Sequence, residues 1–182
     1  YSTQQTFPYN DKDYTLTQQH ILAQFVVKQF DMGSVGATIT AEGGYYHSQH
    51  QLINKWFTTS PKFINFPENF QETMLKKKSI HQIATHLGIE LSYYLTPKTA
   101  LFGYAAIGPM YTSQQTERLA AGLAFSDNVG IGIRIKYNPR IWIISTVLFR
   151  HESNADLKFP NSGHNTTGIR LGVRFNPTAP RS

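Results

Sequence analysis

Residues 141–175 read IWIISTVLFRHESNADLKFPNSGHNTTGIRLGVRF and contain two runs in which apolar and polar residues alternate. Successive side chains of a β-strand point to opposite faces, so each run predicts a strand with two different faces. In the run that starts at Asn165, one face carries isoleucine, leucine, valine and phenylalanine from residue 169 onward, while the other carries glycine and arginine. The stretch therefore predicts an antiparallel hairpin.

Polar side chains gather at one end of this predicted hairpin. His151 and Ser153 share a face of the first strand, beyond Phe149, and pairing of the two strands brings Asn165 to the same face. A serine hydroxyl becomes a nucleophile when a neighbouring imidazole takes its proton, so the arrangement predicts a candidate catalytic site. The alternative is that the strand has reached the headgroup region of a membrane, where polar residues are ordinary.

The same alternation recurs along most of the chain and predicts about eight strands joined by turns. Residues 20–30 fit either a strand or a short helix, residues 1–17 are expected to be irregular, and residues 47–78 to form a long loop. Strands are predicted at 37–46, 79–95 and 99–111, with a hairpin of 119–125 and 129–137 around an Asp127-Asn128 turn. We therefore expect one all-β domain over residues 1–182, an antiparallel eight-stranded transmembrane β-barrel.

The residue types on the two faces indicate which face lines the interior of the barrel. The polar face is rich in glycine with a few charges between, which suits a narrow lumen better than a solvated surface. The lumen glutamates Glu42, Glu90 and Glu152 are expected to pair with the five arginines Arg118, Arg134, Arg150, Arg170 and Arg174. The apolar face is then a lipid-facing belt. The rival is a soluble ligand-binding barrel, in which Leu123, Ile133 and Ile169 would point inward around a cavity.

Composition narrows the possible function classes. The 182-residue chain has no cysteine, which excludes disulfides and thiolate metal sites. Its net charge of +6 is scattered and accompanies no recognised module, so we expect no nucleic-acid partner. The histidines His47, His50, His81 and His86 lack a supporting carboxylate cluster at familiar spacing, and we interpret them as surface or girdle residues rather than metal ligands.

The segment from Arg150 to Gly163 resembles the signature of lipid A 3-O-deacylases of the PagL type, which are eight-stranded outer-membrane barrels with a His-x-Ser-Asn motif. The residues that carry the resemblance are His151, Glu152, Ser153, Asn154, Ala155, Leu157, Lys158, Pro160, Asn161 and Gly163. A more moderate likeness covers residues 115–137. The resemblance implies an esterase of the bacterial outer membrane that removes a hydroxyacyl chain from lipid A of lipopolysaccharide, among outer-membrane lipids, without metal or cofactor.

Carried over by position, the resemblance implies that Ser153 is the nucleophile and His151 its general base. It also implies that Asn154, the backbone N–H of Ala155 and Asn161 stabilise the oxyanion or bind substrate. The departure is at Asn165, where the family pattern has a glutamate. Because an amide supplies no charge to stabilise an imidazolium, the alternative function is a catalytically impaired or non-enzymatic barrel that acts as a scaffold or interaction partner.

The long loop at 47–78 raises a question of topology. Counting strands back from the C-terminus places this loop on the periplasmic side, opposite to His151 and Ser153. Outer-membrane barrels normally keep short turns on that side.

Overall fold

The computed structural model describes residues 1–4 and 12–175 and forms one closed antiparallel barrel in which each strand pairs with its neighbours in sequence order. Strand β8 closes the ring by pairing with β1. The strands are β1 (Ser2–Gln4), β2 (Tyr14–Met32), β3 (Val35–Leu52), β4 (Lys78–Thr96), β5 (Thr99–Thr112), β6 (Gly122–Asn138), β7 (Ile141–Ser153) and β8 (His164–Phe175). No helix in these described residues is long and apolar enough to cross a membrane.

The barrel turns its apolar face outward, as the glycine-rich polar face predicts. Leu123 and Ile169 are each more than half exposed, and Ile131 is 72% exposed. On β7 the alternation places Arg150 and Glu152 in the buried lumen and His151 and Ser153 on the outer face. The soluble-barrel interpretation needed Leu123 and Ile169 inside, and the structure contradicts it.

Charged and polar side chains fill the lumen in place of a hydrocarbon core. Glu90 binds both Arg134 and Arg174, with 2.7 Å between Glu90 Oε2 and Arg174 Nη2. Two further pairs are Glu152 with Arg150 at 3.0 Å and Glu42 with Arg170 at 3.6 Å. Of the five predicted arginine partners, Arg118 is the exception, since it lies in a loop and pairs with Asp13 at 3.4 Å.

Small residues make room for these side chains. A Cβ at Gly88 would lie 2.7 Å from Thr40 Oγ1, and one at Gly132 would collide with the Phe102 ring. The lumen is therefore crowded around Gly88 and Gly132, where a larger side chain would not fit.

Strand β6 replaces the hairpin that the sequence predicted around Asp127 and Asn128. The strand runs without a break through both residues, and residues 119–121 lie outside it. The large apolar residues before and after Asp127 all occupy odd-numbered positions. One continuous strand therefore places all of them on the same face, as the predicted hairpin would. Asn128 is polar because it faces the lumen, where it is buried.

The N-terminal part of the chain contains more strand than its sequence indicated. Residues 20–30 belong to β2, which begins at Tyr14, and β1 also lies within the stretch expected to be irregular; residues 5–11 lie outside the described residues. Strand β3 continues to Leu52, so the expected loop at 47–78 spans only residues 53–77. On this strand His47 faces outward and His50 faces the lumen. Because both residues are polar, the sequence showed no apolar alternation here, and the end of the strand was not predicted.

The corrected strand count reverses the expected position of the long loop. The β2–β3, β4–β5 and β6–β7 connections are short turns at one end of the barrel. The β3–β4 loop (53–77), the β5–β6 loop (113–121) and the β7–β8 loop (154–163) all lie at the other end, together with His151 and Ser153. The long loop is thus on the same side as the candidate site, and the short turns fit the periplasmic side.

The β3–β4 loop is compact and packs toward the candidate site. It contains two short 3-10 helices (Lys55–Thr59 and Pro61–Phe63) and helix α1 (Phe70–Leu75) around a cluster of phenylalanines. The Phe63 and Phe66 rings lie 5.0 and 5.6 Å from the ring of Phe159 in the β7–β8 loop. Aromatic packing therefore joins the two loops.

Candidate active site

His151 and Asn165 form a directly opposed pair on the outer face of β7 and β8. The distance between His151 Nδ1 and Asn165 Oδ1 is 2.6 Å. When Nδ1–H donates to the amide oxygen, the other ring nitrogen, Nε2, carries the lone pair that a general base needs. Asn165 thus holds the ring in the tautomer expected of a base, without contributing a negative charge.

Ser153 lies two residues beyond His151 on the same outward face, and both side chains are half-buried. Same-face neighbours of a strand are roughly 7 Å apart at Cα, close enough for a rotamer of serine to bring its Oγ to the ring. Within residues 1–4 and 12–175, the Ser153 hydroxyl makes no hydrogen bond. It is therefore not committed to another partner.

The oxyanion residues implied by the motif divide into two kinds. The side chain of Asn154 is completely buried, and its Nδ2 donates to the carbonyls of Lys158 (2.6 Å) and Pro160 (3.3 Å). Its backbone N–H donates to Asn161 Oδ1 at 2.6 Å, and Asn161 Nδ2 donates to Asp156 Oδ1 at 2.9 Å. These contacts brace the β7–β8 loop from inside.

Ala155 differs from these residues because it is exposed at the tip of the loop. It adopts a left-handed conformation, with φ of 51°, and Asp156 follows with φ of 60°. In the described part of the chain, the Ala155 N–H donates to no backbone carbonyl. It is thus a free donor one residue beyond the buried Asn154.

Sequence reasoning missed Asp127, which was assigned to a turn. In the structure Asp127 lies on β6 directly opposite His151, on the other side of the imidazole from Asn165. Its Oδ1 is buried and has no hydrogen-bond partner among the described residues. Asp127 and Asn165 thus flank His151 from the two neighbouring strands. The unbroken parity of apolar positions through residue 127 was the signal that could have placed it on a strand.

The β5–β6 loop holds the β7–β8 loop in place. Gly163 N–H donates to the carbonyl of Arg118 at 3.0 Å, and Ala120 N–H donates to the carbonyl of Pro160 at 2.9 Å. Leu119 and Asn161 form an isolated β-bridge between these segments. Two loops therefore position the residues around Ser153 as one unit.

A cleft of about 560 Å³ opens beside this unit, between the β3–β4 and β7–β8 loops. Its walls combine aromatic rings with polar and charged side chains. The lining residues are Phe57, Ser60, Lys62, Phe63, Asp156, Phe159, Asn161 and Ser162. The cleft therefore offers both apolar and polar surface.

Comparisons with known proteins agree with the motif. A family model described as lipid A 3-O-deacylase (PagL) matches residues 43–174, well over half of the 182-residue chain. The solved structure entitled "Crystal structure of the outer membrane enzyme PagL" has a TM-score of 0.59 and 16% identity, and the match covers 88% of this chain and 90% of that chain. No curated protein matches significantly.

The family match extends well beyond the segment that carries the sequence motif, and the structural likeness independently shows the same fold. The expected antiparallel eight-stranded β-barrel is confirmed. The solved relative is an outer-membrane enzyme by its title, in agreement with the expected location. The chain belongs to the PagL family of lipid A 3-O-deacylases.

Proposed function

We propose that this protein hydrolyses a hydroxyacyl ester of lipid A in the outer leaflet, with Ser153 as nucleophile and His151 as general base. The observation that carries the proposal is the 2.6 Å contact that holds the His151 ring on the outward face that Ser153 shares. The substrate is a membrane lipid, and both side chains lie where the barrel wall meets its acyl chains.

The reaction follows the two steps of serine esterases. Ser153 Oγ attacks the ester carbonyl while His151 Nε2 takes the hydroxyl proton. The tetrahedral intermediate collapses, the sugar oxygen leaves with the proton from His151, and the acyl group remains on Ser153. Water, deprotonated by the same imidazole, then attacks the acyl-enzyme and releases the free fatty acid and Ser153.

The negative oxygen of the intermediate needs donors near Ser153. The Ala155 N–H and the second Nδ2 proton of Asn161 are the two groups we assign to this role. Asn154 acts indirectly, because its amide is committed to loop carbonyls. These assignments narrow the oxyanion set that the motif implies.

The acyl chain has an apolar path down the outer wall. Below the site, β6 and β7 oppose Val129 to Phe149 and Ile131 to Val147 on the outer face. A surface groove of about 730 Å³ continues this path, lined by Ile131, Ile133 and Val147 with Gly103 on the neighbouring strand. A hydroxyacyl chain along this path would stay in the hydrocarbon layer throughout the reaction.

Lipid A mass spectrometry tests the proposal. We expect cells that make the wild type to lose one hydroxyacyl chain from lipid A, and Ser153→Ala to reduce the rate on the order of 10⁴-fold or more. The matched control is Ser34→Ala, because Ser34 is exposed in the β2–β3 turn at the opposite end of the barrel from His151. We expect this variant to keep full activity.

The second candidate function is a barrel that kept the motif and lost the chemistry, acting as a scaffold or interaction partner. The neutral amide of Asn165, where a carboxylate would stabilise the imidazolium, favours it. Unchanged lipid A in cells with wild-type protein confirmed in the outer membrane would support this function and refute the esterase.

A further inference from the structure

Three potential metal ligands converge inside the barrel mouth, behind the wall that carries the candidate active site. They are His50 near the end of β3, Glu117 in the β5–β6 loop and His164 at the start of β8. Each offers one ligand atom, and these atoms all lie within 4.8 Å of one another. The exposed fractions are 0%, 0% and 3%, so the cluster is sealed from bulk water.

The ligand atoms of this cluster lack ordinary partners. Glu117 Oε1 lies 3.2 Å from His50 Nε2, yet the atoms are not aligned for a hydrogen bond. Among the described residues, both Glu117 oxygens and both His50 nitrogens have no hydrogen-bond partner. Arg118 Nε, 4.0 Å from Glu117 Oε1, places one cation beside this carboxylate. A buried carboxylate without hydrogen bonds is nevertheless destabilising, and a metal ion bound to it would compensate for the missing partners.

The spacing fits two ligands of one ion. Zn²⁺ binds imidazole nitrogen and carboxylate oxygen at about 2.0–2.1 Å in tetrahedral geometry, which separates neighbouring ligand atoms by roughly 3.4 Å. The 3.2 Å between His50 and Glu117 is close to this separation. Two imidazoles with one carboxylate select a transition metal such as Zn²⁺ over Ca²⁺ or Mg²⁺, which prefer oxygen ligands.

The surroundings orient the ligands without occupying them. The Tyr14 ring lies against both imidazoles, with centroids 5.5 Å from His50 and 5.4 Å from His164. Thr116 Oγ1 lies 3.3 Å from His164 Nε2 and fixes that ring from the same loop as Glu117. Hydrogen bonds to a ligating imidazole are the usual way in which proteins orient it.

We infer that His50, Glu117 and His164 bind one Zn²⁺-class transition-metal ion that ties β3, β8 and the β5–β6 loop together. The ion is structural, because its ligand His164 faces the lumen, whereas the next residue, Asn165, faces outward toward His151. The barrel wall therefore separates the ion from the candidate catalytic residues. It acts on the candidate active site through the backbone. The β5–β6 loop that supplies Glu117 also binds the β7–β8 loop through Arg118 and Ala120.

Metal binding by the purified chain in detergent micelles tests this inference independently of any esterase activity. After chelation, Co²⁺ and Zn²⁺ are titrated into the wild type, His164→Ala and the near-isosteric Glu117→Gln. We expect about one equivalent for the wild type, the absorption spectrum of low-coordinate Co²⁺, and Zn²⁺ affinity at least roughly 100-fold weaker in both variants. Wild-type Tm should rise with Zn²⁺ and not with Mg²⁺.

His81→Ala is the matched control, because His47 and His81 stack on the exposed wall with centroids 5.1 Å apart and could hold a surface ion. This variant should bind like the wild type. Loss of binding in His81→Ala with binding retained in Glu117→Gln would overturn the inference and indicate an adventitious surface ion only. A folded wild type with no Co²⁺ spectrum and no Zn²⁺-dependent Tm would also overturn it, whether or not the variants fold.

Discussion

At the residue scale, His151 has an amide on one side and a carboxylate on the other. Asn165 Oδ1 contacts Nδ1, whereas Asp127 lies opposite on β6 without a hydrogen bond to the ring. We propose that the two functions of a catalytic acid, orienting the base and stabilising its positive charge, are divided between two side chains. Asn165 would perform the first, and Asp127 is placed for the second.

Asn165→Asp tests this division, since it adds a charge with almost no change in shape. Acid-to-amide replacement lowers kcat by about 10⁴ in the serine-protease example. Because Asp127 is placed to supply the negative charge here, we expect Asn165→Asp to change kcat by less than roughly tenfold. Asn165→Ala should lower kcat because the ring loses its orienting partner. Single-turnover release of hydroxyacyl chains from lipid A in micelles measures both effects.

The same assay in Asp127→Asn provides the decisive comparison. If Asn165→Asp leaves kcat unchanged while Asp127→Asn lowers it, Asp127 already supplies the charge. If neither substitution changes kcat, the proposal that His151 becomes a positively charged imidazolium during the reaction is wrong.

At the element scale, the β7–β8 loop is built so that backbone lies against the His151 ring. Gly163 has φ of +73°, and a Cβ there would lie 2.8 Å from the Glu152 carbonyl and 3.0 Å from His151 Cε1. Only glycine adopts this conformation without strain. The loop therefore limits where the imidazole can move.

Gly163→Ala is expected to displace the His151 ring and to destabilise the barrel by about 1–2 kcal/mol, because the residue is strained in the left-handed region. The rate of lipid A deacylation should fall by more than the loss of folded protein accounts for. Urea unfolding in lipid vesicles and the lipid A assay measure the two effects. Gly172→Ala is the control, since a Cβ there has no atom within 4 Å; equal effects of the two substitutions would contradict the prediction.

At the scale of the whole molecule, the barrel is stabilised from outside by lipid and from inside by charge pairs. The exposed belt would be a liability in water, and the buried Glu90 needs both of its arginines. The outer face is thus suited to lipid, and the lumen to paired charges.

Arginine scanning of the outer wall tests this arrangement at two positions of equal exposure. Ile131, in the middle of β6, is 72% exposed, and Tyr137, at its short-turn end, is 73% exposed. We expect Ile131→Arg to lower the free energy of unfolding in bilayers by about 2–4 kcal/mol and Tyr137→Arg by about 0–1 kcal/mol. Similar small losses at both positions would indicate that Ile131 is not at hydrocarbon depth.

Alternation by itself determined much of this protein. Side-chain parity has a period of two regardless of tertiary contacts, so it was sufficient to separate the lumen and lipid faces and to bring His151, Ser153 and Asn165 to one end of one face. The glycine-rich polar face indicated that the polar side chains line the lumen and the apolar ones point outward. The motif at 150–163 indicated the family.

Only the tertiary structure decided where strands end and which distant residues meet. A polar residue inside a strand and one in a turn have the same local signature, so Asp127 and His50 were misplaced until their neighbours on other strands were known. The braced loop around Asn154 and the cluster of His50, Glu117 and His164 depend on residues up to 114 positions apart. No local pattern records such contacts, because closure of the barrel alone creates them.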